Sequence, residues 1–248
     1  MKKIAIVEIK GGFGNQIFQF AFANHIRNLG YYVYINNRFY QYKNKNTKYS
    51  THRELILDEK NYDFQNVGNF LLIYFKLLNK LSTSNKTKWL FKIFDKFFIK
   101  LGDQDFKVSE LKQKYLYLDG YWQKIEYLDE NIDFLKKSLS NNKILRNALN
   151  SSHDKNEILM IVRRGDYVKM NEDLDISFYE SALNYFYKCN IKINLNIFTD
   201  DVDWVKKNKA LALAKNIYGP EDSPRGVIDL FSKMISNKHF IIANSTFA

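Results

Sequence analysis

Between Lys3 and Ile35 the chain reads, in order, as a short apolar strand, a glycine-rich turn, a helix and a second strand, and that order constrains its architecture more than any other feature. The strand is Lys3 to Ile9, and Gly11 to Gln16 spell GGFGNQ. Ile17 to Leu29 carry apolar residues at helical spacing up to Gly30, a residue suited to the position after a helix end. Tyr31 to Ile35 is rich in β-formers. A strand that passes through a helix into another strand forms a unit whose two strands lie parallel in one sheet, with the helix over one face.

The alternation returns after His153. Ile158 to Val162, Ile193 to Phe198 and Phe240 to Ala243 read as strands; Ser177 to Cys189, Val202 to Asn208 and Arg225 to Ser236 read as helices. This predicts a second parallel, doubly wound sheet. A chain of 248 residues suits one large domain or two small ones. The polar stretch from Asn141 to Asn156 places the boundary, giving halves 1–145 and 146–248. The first half holds a polar loop from Gln41 to Thr51 and two apolar-basic helices, Asn69 to Leu81 and Lys88 to Leu101. In the second of these, Lys88, Lys92, Lys96 and Lys100 recur every four residues opposite Leu90, Ile93, Phe94, Phe97 and Leu101. Two readings fit it: a helix lying on a membrane surface, or an ordinary amphipathic helix with solvated lysines.

Charge widens the field before motifs narrow it. Lys and Arg number 38 against 27 Asp and Glu, a net +11, which fits a nucleic-acid, anionic-membrane or phosphorylated partner, and equally a chain-wide bias toward lysine and asparagine. No sheet-face pattern of interleaved aromatic and basic residues supports the RNA-binding module that such a charge allows. Cys189 is the single cysteine, so no internal disulfide forms. Glu8 and Lys10 interrupt the first apolar run, against a signal peptide, and no run reaches the ~20 residues of a transmembrane helix. A cytoplasmic protein is expected, with a peripheral contact on the inner face of the membrane as the further option. His25, His52, His153 and His239 make no zinc spacing with the cysteine.

In parallel sheets, ligands bind beyond the carboxyl ends of the strands. Four polar clusters follow predicted strands directly: Gly11 to Gln16, Arg163 to Tyr167, Thr199 to Asp201 and Asn244 to Thr246. Adjacent arginines present forked donors to phosphate oxygens, and Asp166 is placed to orient one of them, so diphosphate binding is the chemistry suggested. The N-terminal loop is no dinucleotide fingerprint. Gly12 and Gly14 match its first two glycines, but Ile17 stands at the third, and Asn36 and Asn37 stand where a ribose-binding acid belongs. What remains is backbone close to a ligand, with Asn15 and Gln16 as short polar arms at a helix N-terminus. Three D-x-D pairs occur, Asp103/Asp105, Asp173/Asp175 and Asp201/Asp203, and only the last follows a predicted strand. Asp203 there reads as a first-turn acid of a helix. No metal ligand set is assigned, and a metal-dependent sugar transferase of the GT-A type stays open as an alternative.

Together these segments resemble glycosyltransferase family 11, the α-1,2-fucosyltransferases. GGFGNQIFQFAFA (Gly11 to Ala23), YLDGYWQ (Tyr117 to Gln123), RRGDY (Arg163 to Tyr167), FTDDVDWVKKN (Phe198 to Asn208) and IIANSTF (Ile241 to Phe247) look like that family's motifs in its order. The resemblance implies a GT-B-type fold of two Rossmann-like halves with the active site between them. It implies GDP-β-L-fucose as donor, inversion at the anomeric carbon, a galactose-containing surface glycan as acceptor and no metal. Carried over by residue, Arg163 meets the β-phosphate with Arg164 beside it, and Asp166 braces the pair. Asp200 or Asp201 lies near the nucleoside and Asn244, Ser245 and Thr246 near the phosphates. Gly14, Asn15 and Gln16 border the donor in the catalytic cleft. Asp119 is the candidate base, and Tyr121 and Trp122 stack on the acceptor sugar or belong to the core. Two departures stand out: Ile161 replaces the histidine that usually precedes the arginine pair, and the family pattern continues past the point corresponding to Ala248, which implies an incomplete second half and an inactive fragment.

Overall fold

The computed structural model describes residues 2–41, 54–57, 63–83, 98–103, 111–151, 156–189, 194–219 and 226–244. They form two compact units, Met1–Leu139 and Ser140–Ala248. The first contains β1 (Lys3–Glu8), α1 (Phe13–Asn28), β2 (Tyr31–Asn36), β3 (Gln65–Asn66), α2 (Asn69–Thr83), β4 (Phe98–Leu101), β5 (Tyr115–Leu118), α3 (Ile125–Asp129) and α4 (Ile132–Leu139). Its strands are all parallel in the order β3-β2-β1-β5-β4. The second contains α5 (Lys143–Leu149), β6 (Glu157–Val162), α6 (Gly165–Met170), α7 (Ile176–Lys188), β7 (Asn194–Thr199), α8 (Val202–Lys207), β8 (Asn216–Tyr218), α9 (Val227–Ile235) and β9 (His239–Ile241). Its parallel order is β8-β7-β6-β9. Two Rossmann-like parallel sheets in one chain are the GT-B plan, which sets aside the GT-A alternative.

The strands are near-continuous apolar runs because helices cover both faces of a parallel sheet. In β6, Ile158, Met160 and Val162 pack with Tyr179 and Leu183 of α7 and Val205 of α8. The intervening Leu159 and Ile161 face Met234 of α9. That alternation is the two-residue period of a strand buried on both sides. In the first unit Ile6 packs with Leu72, Phe75 and Leu78 of α2 and with Phe98 of β4.

In each sheet the connection reverses direction beside one strand. β1 has β2 on one side and β5 on the other, and β6 has β7 and β9. Such switch points open a crevice beyond the carboxyl ends. The polar clusters after β1 and β5 in one unit, and after β6, β7 and β9 in the other, sit at these two places.

One reading is overturned. Phe98–Leu101 is a strand paired with β5, not the end of a lysine-striped helix. Lys88, Lys92 and Lys96 lie outside the described residues, and Lys100 is ion-paired to Asp119 at 3.1 Å. Four-residue lysine spacing fits a helix face, but it cannot register a strand whose side chains meet a partner distant in sequence.

Candidate functional site

In the second unit the site is a lattice of two arginines and four acids. Arg163 Nη1 donates to Asp200 at 2.8 Å and Nη2 to Asp166 at 3.0 Å. Its guanidinium lies 5.3 Å from the Tyr167 ring centroid. Its Nε is buried without a hydrogen-bond partner among the described residues. Arg164 turns the other way. Nη1 donates to Asp173 at 2.7 Å and Nε to Asp201 at 3.3 Å, with Trp204 beneath the guanidinium at 4.2 Å. Asp200 ties the pair together by also accepting the Arg164 backbone N–H at 2.7 Å. Asp201 caps α8 by accepting from Trp204 N, and Thr199 Oγ1 accepts from Asp201 N. Asp175 caps α7 through Ser177 N.

Gly165 permits this closeness. A Cβ there would lie 2.9 Å from Asp200 Oδ2, so only glycine leaves the carboxylate where both arginines use it. Asn244 is brought to the same edge: its backbone carbonyl accepts from Tyr167 Oη at 3.4 Å, and its Nδ2 donates to the Glu172 carbonyl at 2.9 Å. Ser245 and Thr246 lie outside the described residues. Beside Arg163 a largely apolar recess is lined by Ile161, Phe198, Tyr218, Leu230 and Met234. Phe198 and Tyr218 stack in it with centroids 4.7 Å apart. Ile161, 3% exposed, belongs to its wall as well as to the core.

The first unit's edge holds a second polar network. Asp119 accepts from Lys10 at 2.7 Å and from Lys100 at 3.1 Å. Burial pushes its carboxyl up, but the two ammonium groups outweigh burial and hold it below the ordinary aspartate range. Glu8 beside it is the reverse. Burial raises its pKa despite hydrogen bonds from Tyr117 Oη and Asn36 Nδ2. Burial, with the neighbouring Glu8, also pushes the Tyr117 phenol up. Along the same edge Asn36, Asn37, Arg38, Gln41, Asn66 and Asn69 line a recess rich in amides.

Of the predicted site residues here, several are committed to structure. Gly14 and Gln16 lie inside the first turn of α1, which starts at Phe13, while Gly11, at φ 83°, and the N-cap Gly12 precede it. Gln16 is fully buried: its Oε1 accepts from Ile56 N and Leu57 N and its Nε2 donates to the Glu54 carbonyl at 2.8 Å. Trp122 is 4% exposed and lies flat on Phe22 at 4.1 Å, so its ring is core and not a platform for a sugar. Tyr121 keeps a partly exposed ring, with Lys10 Nζ 5.1 Å from its centroid. Asn15 accepts from Gln123 Nε2 at 2.8 Å. Asp166 braces Arg163 alone; the partners of Arg164 are Asp173 and Asp201.

Two positioning residues escaped the sequence reading. Gln19 accepts from Lys10 N at 3.0 Å and donates to the Gly120 carbonyl at 3.0 Å, joining the two motif loops. Asp103 follows a strand after all, β4, and accepts from the backbone N–H groups of Tyr121 and Trp122. Those bonds hold Trp122 at φ 57°, a left-handed conformation costing a non-glycine residue on the order of 1–3 kcal/mol. Among the described residues no group of three or more His, Cys, Asp or Glu is arranged to hold a metal ion.

The family model for glycosyl transferase family 11 matches residues 4–248. An α-1,2-colitosyltransferase of Escherichia coli is 26% identical over 273 aligned positions, covering 99% of this chain and 85% of that protein. An O-antigen biosynthesis glycosyltransferase of Escherichia coli, WbnK, is 27% identical over 145 positions, covering 53% of this chain and 48% of that protein. Among solved structures, the fucosyltransferase NodZ of Bradyrhizobium aligns with the whole chain and 90% of its own, at 12% identity and a TM-score of 0.47.

Proposed function

The chain belongs to glycosyltransferase family 11, and on that premise we propose that it transfers L-fucose from GDP-β-L-fucose, with inversion, to the 2-hydroxyl of a terminal galactoside in a surface glycan. The observation that carries this reading is the setting of Arg163. Two of its donors are fixed by Asp166 and Asp200 while Nε remains buried and unpaired among the described residues. A guanidinium has five N–H donors, and a buried one left unmade costs about 1–3 kcal/mol. A phosphate oxygen answers that deficit.

In the reaction the bond from the anomeric carbon to the β-phosphate oxygen breaks and a bond to the acceptor oxygen forms. Negative charge collects on the leaving diphosphate, and Arg163, held in place beforehand, stabilises it. The apolar recess with Phe198 and Tyr218 suits the nucleobase. The acceptor's proton passes to a carboxylate. Asp119, clamped by two lysines, is the weaker base of the two available, and the reading moves that role to Glu8, whose environment raises its basicity. Amides present paired donors and acceptors to neighbouring hydroxyls, so the recess around Asn37 and Asn69 suits acceptor sugars.

The test is nucleotide release and product linkage across GDP-fucose, GDP-colitose, GDP-mannose and UDP-galactose with galactoside acceptors. GDP-colitose belongs in the screen because one relative is named a colitosyltransferase. Turnover of GDP-fucose with an α-1,2 product is expected. Turnover with UDP-galactose alone would sink the donor assignment.

A further inference from the structure

Helix α2 carries two apolar faces, and the sheet covers one. Leu72, Phe75 and Leu78 are buried against Ile6, Val67 and Phe98. On the outside Phe70 is 91% exposed, Ile73 63%, Tyr74 44% and Leu77 52%. Their spacing is i, i+3, i+4, i+7, so the four side chains form one stripe along the helix. Isolated exposed apolar residues are ordinary, but a contiguous stripe of four large ones marks a contact surface. Exposed Lys76 and Lys80 flank it, and α2 contains no acidic residue.

We propose that the outer face of α2 docks this protein on an anionic phospholipid surface. Charge selects the partner. From Asn69 to Lys96 the sequence holds six lysines, Lys76, Lys80, Lys86, Lys88, Lys92 and Lys96, against one acid, Asp95. Antiparallel pairing of two copies of α2 through this stripe, with the two-fold axis crossing the helices, sets one lysine flank against the other, a like-charge juxtaposition that works against that self-association. An anionic headgroup layer accepts the lysines while the apolar side chains enter the acyl boundary, and tyrosine, with its polar tip, suits that depth. No helix among the described residues is long and apolar enough to cross a bilayer, so the contact is peripheral. The inference stands apart from the transfer reaction and from the residues assigned to it.

Cosedimentation with phosphatidylcholine vesicles and with vesicles containing phosphatidylglycerol tests it. The protein is expected to bind the anionic vesicles and to be released by salt. Lys76→Gln with Lys80→Gln should lower partitioning roughly fivefold per lysine. Phe70→Ser with Leu77→Ser should abolish binding while leaving the thermal melt unchanged, since both side chains are solvated in the fold. Two results overturn the proposal: anionic vesicles bind the Phe70→Ser, Leu77→Ser protein as well as the parent, or the parent stays in the supernatant at low salt. Light scattering supplies a third. A parent dimer that the serine variant converts to monomer assigns the stripe to a second copy instead.

Discussion

Lysine at Arg163 and lysine at Arg164 are the same chemical change one residue apart, and the lattice around them predicts opposite consequences. Arg163 holds Asp200 and Asp166, whose side chains are 19% and 50% exposed, so its pairs are partly screened. Lysine keeps the charge and reaches one carboxylate, and the stability lost should be below about 1 kcal/mol. For a chain of this size that is a melting shift of roughly 2–4 °C. Turnover, in contrast, loses a fixed planar donor set at the leaving diphosphate, about 100-fold in rate. Arg164 is 16% exposed, bridges Asp173 and Asp201, and lies on Trp204. Lysine there strands one carboxylate and weakens the stack, costing about 2–3 kcal/mol after allowance for the partial exposure of both acids. That is roughly 5–10 °C, with turnover well below the melt changed less than tenfold. The assay is GDP release from GDP-fucose with a saturating galactoside, beside a thermal melt of each variant. Normal turnover by Arg163→Lys, or an Arg164→Lys protein that melts with the parent, would refute the division of roles.

Transfer should survive excess EDTA, because Asp103, Asp173, Asp175 and Asp201 are already engaged with backbone N–H groups or with Arg164; loss with EDTA and rescue by Mn²⁺ sinks this. Glu8→Gln should raise the melting temperature at pH 8 while lowering turnover. The native carboxyl binds its proton more tightly than the unfolded one, so stability falls as pH rises through that window, and the variant's advantage should shrink toward pH 4.5. Asp119→Asn should cost about 1 kcal/mol at neutral pH. Its pKa is depressed, so this contribution is present above the ordinary value of 3.8 and fades as pH falls below it; a cost independent of pH would contradict the pairing with Lys10 and Lys100. Gly165→Ala pushes a methyl against Asp200 and should reduce turnover at least tenfold with the sheet intact by circular dichroism, an effect of misplacement of Arg163. Unchanged turnover removes the close approach from the account.

Periodicity made the long elements legible. α1, α2 and α7 fall within a few residues of their expected ends, and β6 and β7 within one. The strands that escaped are short, and what makes them strands is remote. β4 pairs with β5, and β5 with β1 more than a hundred positions away. The arginine–aspartate cluster was readable because strand-end polar residues in a parallel sheet converge on one edge. Which acid meets which arginine was not, because Asp166, nearest in sequence, turned to Arg163 while Arg164 reached across to Asp173 and Asp201. Gln16 and Gln19 misled in opposite directions. Both sit on the buried side of α1, where an amide's value is to join loops, and a lone sequence gives no sign of which loops lie opposite.

The two candidate edges also differ in how the chain can assemble them. In the second unit Arg164 meets Asp173 nine residues on and Asp200 within thirty-six. In the first, Lys10 must find Asp119 across 109 positions, and Gln19 must find Gly120 across 101. Closing long loops slows folding. When the complete chain refolds, the arginine lattice can therefore close soon after its own strands pair, while the Glu8–Asp119 edge waits for β5 to slot in beside β1. A partly refolded population is therefore expected to hold the Arg164–Asp173 contact before the Lys10–Asp119 one.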